Sequence, residues 1–224
     1  PGYPLGTAVV QAGPTMASSE RVSLLITGQG GHGAMPEKSV DPLPVVASLI
    51  NAIQTIKSRN LGPEEYAVIS IGMLQAGSVY NIIPDEASML ISVRTDTPQT
   101  QQKINQRIEQ IVRGHEQSFG VSIDLEITPL APALINDETE TQRVRESLAP
   151  LFEPGHLQSR GPKVMGTEDF AWMLTEVPGC YFLLGNGEGE FHGCSVHNPH
   201  YDFNDELIRL GADCWAKLVE DFLA

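Results

Sequence analysis

The sequence predicts a mixed α+β and α/β protein in two parts, and three observations support this prediction. Between residues 20 and 129, apolar positions recur with a period of about two and then about 3.6 residues, in a regular order. A stretch containing Pro and Ala, residues 129–137, then interrupts both periods. Beyond it, short apolar runs alternate with helical patterns, as they do in an α/β layer. We therefore expect one compact unit at 20–129 and another at 130–224, with residues 1–19 joined to the latter.

The first part contains four predicted strands and two predicted helices. The strands show period-two alternation, and they are 21–28, 66–74, 87–95 and 121–127. The helices have apolar residues at helical spacing, and they are 41–59 and 99–119. The resulting β-α-β-β-α-β order is that of the split βαβ, ferredoxin-like arrangement, with four antiparallel strands and both helices on one face. Because the edge strands of such a sheet have unpaired backbone groups, we expect a two-fold dimer contact through an edge strand or a helix of this part.

The second part contains shorter elements. Its helices are predicted at 138–152, at 168–175 and after Asn204, which is expected to cap the last of them. An apolar run at 180–187 predicts a buried strand, and a second short strand is predicted at 163–166. Val9 and Val10 predict one more strand for this part.

Charge and composition argue against several classes of function. The formal net charge is −14, whereas nucleic-acid-binding proteins usually carry a basic surface, so we expect no nucleic acid partner. No apolar run approaches the ~20 residues that span a bilayer, so we expect no membrane insertion. The three cysteines form no CxxC pair, which favours a reducing compartment and a cytoplasmic location.

Three histidines lie close together in the stretch FHGCSVHNPHYDFNDE, residues 191–206. A metal ion needs ligands held at ~2.0–2.2 Å in a fixed geometry, commonly from several parts of a chain. His192, His197 and His200 lie in an irregular segment containing Gly and Pro, so their spacing alone does not aim them at one point. The stretch is therefore either a polar loop before a helix or the source of one imidazole ligand that nearby carboxylates and amides orient.

Two other motifs combine a turn with polar side chains. In MGTEDF, residues 165–170, Gly166 turns the chain and Glu168 stands near a helix start, where an acid either interacts with the helix dipole or serves a site at a strand end. In GQGGHGAMP, residues 28–36, His32 follows a strand within a glycine-rich turn. The glycine spacing differs from the dinucleotide-binding pattern. His32 is therefore either a turn residue or part of a site that a backbone approaches closely.

The connection AGSVYNIIPDEA, residues 76–87, joins two predicted strands. Its Asn81 and the downstream Arg94 could bind a carboxylate, since Arg presents a planar fork of donors, or both could be turn and surface residues. The sequence has no nucleophile elbow, no P-loop and no HExxH pattern.

Taken together, these motifs resemble the M20 metallopeptidase family, in the amidohydrolase branch of hippurate hydrolases and N-acyl-amino-acid hydrolases. The resemblance rests on GGHGAMPEKSVDP, GSVYNIIPDEA followed by VR, MGTEDFAWML and HNPHYDFNDE, in that order. It implies a ferredoxin-like lid and dimerisation domain at 20–129. It also implies that 130–224 is the C-terminal part of a zinc-peptidase-like catalytic domain, to which 1–19 contributes a strand or linker.

The resemblance implies a metal-dependent reaction. His197 matches the family's last metal ligand, and His32 matches a lid histidine that reaches a neighbouring active site and stabilises the oxyanion. The implied cofactor is a divalent metal, Zn²⁺ or Mn²⁺, with two ions about 3.5–4 Å apart in the complete enzyme. The family's other metal ligands and its general-base glutamate lie upstream of the segment that this chain matches. We therefore expect the 224-residue segment alone to be inactive and to bind metal weakly.

The resemblance also implies how substrate is bound. Asn81 and Arg94 match contacts to a substrate carboxylate, and Gly166 matches a backbone contact in the substrate pocket, with Glu168 beside it. The expected reaction is hydrolysis of the amide in a small N-acyl amino acid, such as hippurate, by a homodimer. The alternative is a truncated or split product without activity, which serves as a dimerisation or partner-binding module.

Overall fold

The structure, a computed structural model, describes residues 1–161 and 163–223 and contains two compact units. We call them the sheet unit, which comprises Met16–Leu134 and Val164–Ala171, and the terminal unit, which comprises Pro1–Thr15, Ile135–Lys163 and Trp172–Ala224. Residues 164–171 thus group with the sheet unit and not with their neighbours in sequence.

The elements of both units are numbered in chain order. The strands are β1 (Ala8–Val9), β2 (Gly13–Met16), β3 (Ser19–Thr27), β4 (Gly31–His32), β5 (Ala67–Ala76), β6 (Ile82–Ile83), β7 (Glu86–Thr95), β8 (Ser122–Ala131), β9 (Leu134–Asn136), β10 (Leu157–Gln158) and β11 (Leu183–Leu184). The helices are α1 (Pro42–Thr55), α2 (Pro98–Phe119), α3 (Glu138–Leu148), α4 (Phe170–Glu176), α5 (Gly189–His192) and α6 (Leu207–Leu223). A π-helical turn, Ile56–Asn60, extends α1.

Four antiparallel strands in the order β5-β7-β3-β8 form the main sheet of the sheet unit. Val22 of β3 lies opposite Ile91 of β7 and Ile127 of β8, so apolar side chains of adjacent strands share one face. Both α1 and α2 pack on that face, because their apolar residues join those of the strands in one buried cluster. Full burial of such a side chain contributes ~1.5–3 kcal/mol. The elements follow the predicted β-α-β-β-α-β order.

Local signals set the ends of these two helices. Asp41 accepts a hydrogen bond from the Leu43 N–H at 2.9 Å and so caps α1, which begins at a proline. Thr97 caps α2 in the same way. Gly120 ends α2 in the left-handed region, at φ 69°, where a residue with a side chain would be strained.

The terminal unit has a small three-stranded sheet in which β1 pairs in parallel with β10 and antiparallel with β11. The strand predicted around Val9 is therefore present. Helices α3 and α6 pack around a cluster of buried residues, Val10, Val144, Leu148 and Cys214. Strands β2 and β9 pair with each other.

Three predicted elements of the second part differ from the structure. At 163–166 there is no extended strand, and Val164 makes only an isolated bridge to Met16. The helix predicted to begin at Glu168 begins at Phe170, because the Glu168 side chain and carbonyl accept hydrogen bonds from the backbone that leads into it. The strand predicted at 180–187 is reduced to β11, since the Asn136 amide replaces a strand partner at Tyr181.

Among the helices of residues 1–161 and 163–223, none combines the length and the apolar character that a membrane span requires.

Candidate functional site

His32 and Asn81 lie on a short two-stranded ribbon in the sheet unit. This ribbon is formed by β4 and β6, and His32 is opposite Ile82. The Gly33 N–H donates to the Asn81 carbonyl at 2.9 Å, which brings the two predicted site residues to the same end of the ribbon. Both side chains are exposed. The structure therefore brings together two residues that are 49 positions apart in the sequence.

The glycines of the turn explain how the ribbon forms. A Cβ atom at Gly28 would lie 2.1 Å from the Val40 carbonyl oxygen, and one at Gly33 would lie 2.9 Å from the Asn81 oxygen. At Gly30, a Cβ atom would be 2.7 Å from the Ile83 oxygen. A side chain at Gly30 or Gly33 would push the ribbon apart, and one at Gly28 would displace the backbone of Val40. In this chain, the backbone that approaches the glycines is the protein's own.

The hydrogen bonding of His32 defines what its imidazole can do. Its Nδ1 accepts a hydrogen bond from the Ala34 N–H at 3.1 Å. An accepting Nδ1 carries no proton, so the neutral ring has its proton on Nε2. His32 thus presents an outward N–H donor on a ring that a local contact orients.

A second group of predicted residues lies elsewhere in the sheet unit. The half-buried Arg94 donates from Nη1 to the Met165 carbonyl at 3.3 Å. The next residue, Gly166, accepts from the Ala17 N–H at 2.9 Å, which fixes the backbone of this segment. Glu168 follows, half-buried, and accepts from the Asp169 N–H at 3.1 Å. Arg94, Gly166 and Glu168 therefore belong to one neighbourhood.

The two groups lie at opposite ends of β7. The ribbon is anchored just before Glu86, because Asp85 accepts hydrogen bonds from the backbone of Gly28 and Gly30, each at 2.8 Å. Arg94 is eight residues further along this strand, next to its last residue. Eight residues of antiparallel strand span roughly 27 Å. Asn81 and Arg94 of one chain therefore do not reach the same small carboxylate.

His197 lies in the terminal unit, in the loop formed by residues 193–201, which we call the histidine loop. Its side chain is exposed and makes no hydrogen bond to the described residues. Its φ is 68°, an uncommon conformation for a residue other than glycine. His200 is exposed too, whereas the Nδ1 atom of His192 is buried without a partner among the residues described.

The structure does not gather these histidines into a metal centre. Across the described ranges, no three His, Cys, Asp or Glu side chains form a group that could hold a metal ion. His197 is thus available as a single ligand. Sequence reasoning also missed two residues that position these segments. Asp85 accepts a hydrogen bond from the Gly30 N–H next to the ribbon, and Asn186 donates one to the His192 carbonyl next to the histidine loop. Both stand in turn-like sequence, where their hydrogen bonds leave no periodic signal.

A comparison with protein families gives one match over nearly the whole chain, since the model of peptidase family M20/M25/M40 matches residues 4–221. The N-acetylcysteine deacetylase of Bacillus subtilis is 32% identical over 220 residues, which are 98% of this chain and 56% of that protein. The hippurate hydrolase of Campylobacter jejuni is 34% identical over 214 residues, which are 96% of this chain and 55% of that protein. The chain thus spans about half the length of the curated relatives it matches.

Solved structures show the same fold. A protein described as an aminohydrolase from methicillin-resistant Staphylococcus aureus superposes with a TM-score of 0.91 at 26% identity, over 99% of this chain and 57% of that one. A dinuclear metal-binding peptidase of the M20 family from Bacillus subtilis gives a TM-score of 0.80 at 27% identity, over 97% of this chain and 53% of that one. The mixed α/β fold of the chain therefore matches M20 peptidase structures.

Proposed function

The chain belongs to peptidase family M20/M25/M40, and we propose that it is part of a metal-dependent amidohydrolase that cleaves the amide of N-acyl amino acids. The observation that carries the proposal is the exposed His32 imidazole, whose Nδ1 accepts a hydrogen bond from the Ala34 N–H and so leaves Nε2–H as the donor. In amide hydrolysis, negative charge develops on the carbonyl oxygen, and a preoriented donor stabilises that charge.

The names of the relatives and the residues near Arg94 support the proposed substrate class. Several relatives are named for N-acyl amino acids, among them a hippurate hydrolase and deacetylases of N-acetylcysteine and N-acetyldiaminopimelate. An N-acyl amino acid carries a free carboxylate, which suits the fork of an arginine or the amide of an asparagine. Arg94 and Asn81 supply these two groups, and Gly166 and Glu168 line the pocket beside Arg94 in this proposal.

The metal requirement is met only in part by the residues described. The family includes dinuclear metal-binding peptidases, and such ions activate water and polarise the scissile carbonyl. His197 fits as one imidazole ligand, because its side chain is exposed and has no other partner among the described residues. The described residues form no complete metal site, so we assign the other ligands and the general base to a part of the enzyme outside this sequence.

In the complete enzyme, we assign residues 20–129 to a ferredoxin-like lid, and residues 130–224 together with 1–19 to the C-terminal part of a zinc-peptidase-like catalytic domain. Because the ribbon and Arg94 lie roughly 27 Å apart along β7, one lid does not offer both groups to one substrate. A dimer removes this difficulty if the ribbon of one protomer serves the active site of its partner. His32 and Asn81 would then act across the dimer.

The sheet unit offers a surface for such a dimer. Strand β5 is an edge of the main sheet, with unpaired backbone groups along one side. Its exposed residues include Val68, Met73 and Leu74, and Tyr80 in the connection beyond it is fully exposed. Apolar side chains along an unpaired edge favour two-fold strand pairing with a second copy.

The proposed function is tested on the complete, metal-loaded enzyme with N-benzoyl and N-acetyl amino acids. We expect hydrolysis with kcat near the ~10 s⁻¹ typical of enzymes. We also expect His197→Ala to lose bound metal, whereas His200→Ala, three residues further along the same exposed loop, retains it. Absence of turnover on every N-acyl amino acid, at full metal content, would refute the proposal.

A further inference from the structure

A single buried amide closes the base of the histidine loop. Asn186 is 3% exposed. Its Nδ2 donates to the carbonyl of His192 at 3.1 Å and to the carbonyl of Asp202 at 3.2 Å. These two carbonyls stand immediately before and after the histidine loop, so one side chain joins both ends of a nine-residue segment.

The same amide is tied to the start of α6. Its Oδ1 accepts from the Asn204 N–H at 3.0 Å, and the Asn204 Nδ2 donates back to the Asn186 carbonyl at 3.3 Å. Asn204 is itself buried and accepts a hydrogen bond from the Glu206 N–H at 3.1 Å, ahead of the helix. Asn186 therefore uses both of its amide hydrogens and one of the two lone pairs of its oxygen.

The loop between these anchors has little structure of its own. Its interior hydrogen bonds are local. Asn198 N–H donates to the Ser195 carbonyl at 3.3 Å, His200 N–H to the Asn198 Oδ1 at 2.9 Å, and Tyr201 N–H to the Asn198 carbonyl at 3.0 Å. His197 lies within the first of these turns, between Ser195 and Asn198, in a left-handed conformation that costs on the order of 1 kcal/mol. Local turns shape the loop but do not fix its position on the terminal unit. The anchoring of its two ends does.

The turn that follows Asn186 brings the loop close to the amide. Gly187 has a φ of 115°, which only glycine adopts readily, and a Cβ atom there would lie 2.9 Å from the Cβ of His192. The chain can therefore fold back tightly enough for Asn186 to reach the His192 carbonyl. Asn186 and Gly187 together therefore hold the two ends of the histidine loop against this turn.

We propose that Asn186 is a positioning residue, which holds the histidine loop, and with it His197, in the place that catalysis requires. The catalytic consequence rests on the proposed function, whereas the anchoring of the loop is a property of this chain alone. The two are therefore measured separately.

The anchoring is measured by hydrogen–deuterium exchange on the 224-residue chain. Asn186→Asp keeps the shape and the oxygen that faces Asn204, but it replaces both donor bonds with an oxygen that faces two carbonyl oxygens. We expect the backbone amides of 193–202 to exchange about tenfold faster or more, as the loss of two buried hydrogen bonds implies. Asn186→Ala, which removes the donors without adding a charge, is expected to act in the same direction and covers the case in which the Asp variant does not fold.

Asn136 provides a matched control in the same unit. It is also 3% exposed, and its Nδ2 donates to the carbonyls of Gln11 and Tyr181, each at 2.8 Å. Asn136→Asp is expected to lower the melting temperature comparably while leaving exchange in the histidine loop unchanged. Loop exchange that is unaltered in the Asn186 variants, or increased equally by Asn136→Asp, would overturn the proposal.

The catalytic consequence is measured on the complete enzyme. With Zn²⁺ as the probe, we expect the Asn186 variants to need more metal for half-occupancy and to lose kcat with little change in KM, whereas Asn136→Asp retains both wild-type values. If the Asn186 variants bind Zn²⁺ and turn over as the wild type does, Asn186 is not a positioning residue. If the wild-type enzyme hydrolyses no N-acyl amino acid, the proposed function fails, while the exchange data still decide whether Asn186 anchors the loop.

Discussion

Two inactive variants of the complete enzyme are expected to restore activity when they are mixed. In the proposed dimer, His32 of one protomer donates a hydrogen bond in the active site that contains His197 of the other. His32→Ala removes one oxyanion donor and is expected to lower kcat by about 10²–10³, with a smaller effect on KM because the donor acts mainly in the transition state. His197→Ala is expected to be inactive for a different reason, the loss of metal.

The size of the recovery follows from counting sites. Random exchange of protomers in an equimolar mixture makes about half of the dimers heterodimers. Each heterodimer has one site with a native His197 and a native His32 from the partner, and one site in which both are altered. About one quarter of all sites are then intact, so activity is expected to rise from near zero to about one quarter of the wild-type rate.

The ribbon supplies a matched control for this experiment. His32 and Asn81 lie on the same ribbon, so a mixture of His32→Ala and Asn81→Ala places one altered residue in every site and is expected to recover nothing. Exchange is followed independently, for example by mass spectrometry of differently tagged protomers. If the His32→Ala and His197→Ala mixture stays inactive once heterodimers have formed, His32 does not act across the dimer. The separation along β7 would then need another explanation.

Three further predictions concern the described chain. Gly28→Ala places a Cβ atom 2.1 Å from the Val40 carbonyl oxygen, and we expect it to lower the free energy of unfolding in chemical denaturation by ~1–3 kcal/mol. Gly72→Ala, where no atom outside the neighbouring residues lies within 4 Å of the added Cβ, is expected to leave that free energy nearly unchanged. Equal effects of the two substitutions would contradict the steric argument. Hydrogen bonds from Lys217 and Ser147 hold the pKa of the Asp221 carboxyl below its usual range. The ionised carboxylate therefore stabilises the folded protein above about pH 4, and this contribution is lost as the pH falls through the lowered pKa. Asp221→Asn is expected to flatten the acid side of the plot of melting temperature against pH, and an unchanged plot would contradict this role. Burial raises the pKa of the Cys214 thiol, so its alkylation by iodoacetamide is expected to be far slower in native than in denatured protein, and equal rates by mass spectrometry would show that it is accessible.

The elements that could be predicted from the sequence are the helices that place one or two residues of each turn in the core and the strands that place every second residue there. Helix α2 is an example, because Ile104, Ile108 and Val112 recur at helical spacing and all are buried in the structure. Strand β7 likewise alternates, and its inward residues are fully buried. Because apolar residues recur at many positions of such an element, its buried face can be recognised without knowing which other elements pack against it.

The elements that could not be predicted depend on single hydrogen bonds between distant residues. The apolar run at 180–187 looks like a strand, yet the side chain of Asn136, 45 residues away from Tyr181, satisfies the backbone there. The ribbon has no periodic signal, since its pairing is set by glycines that permit close approach and by Asp85 beneath them. Each of these contacts depends on a single residue, and a single residue produces no periodic pattern in the sequence.

This division explains where the candidate site lies. The exposed His32, Asn81 and His197 all stand on short segments outside the regular elements that bury the core, or at their margins. Their positions depend on a few neighbours, namely the Ala34 N–H, Asp85 and Asn186, and little apolar surface is buried with them. Changes to these side chains therefore remove little of the free energy of folding, which comes mainly from the two buried clusters. It follows that variants at the candidate site can lose function at nearly unchanged stability, whereas variants in the clusters lose both together.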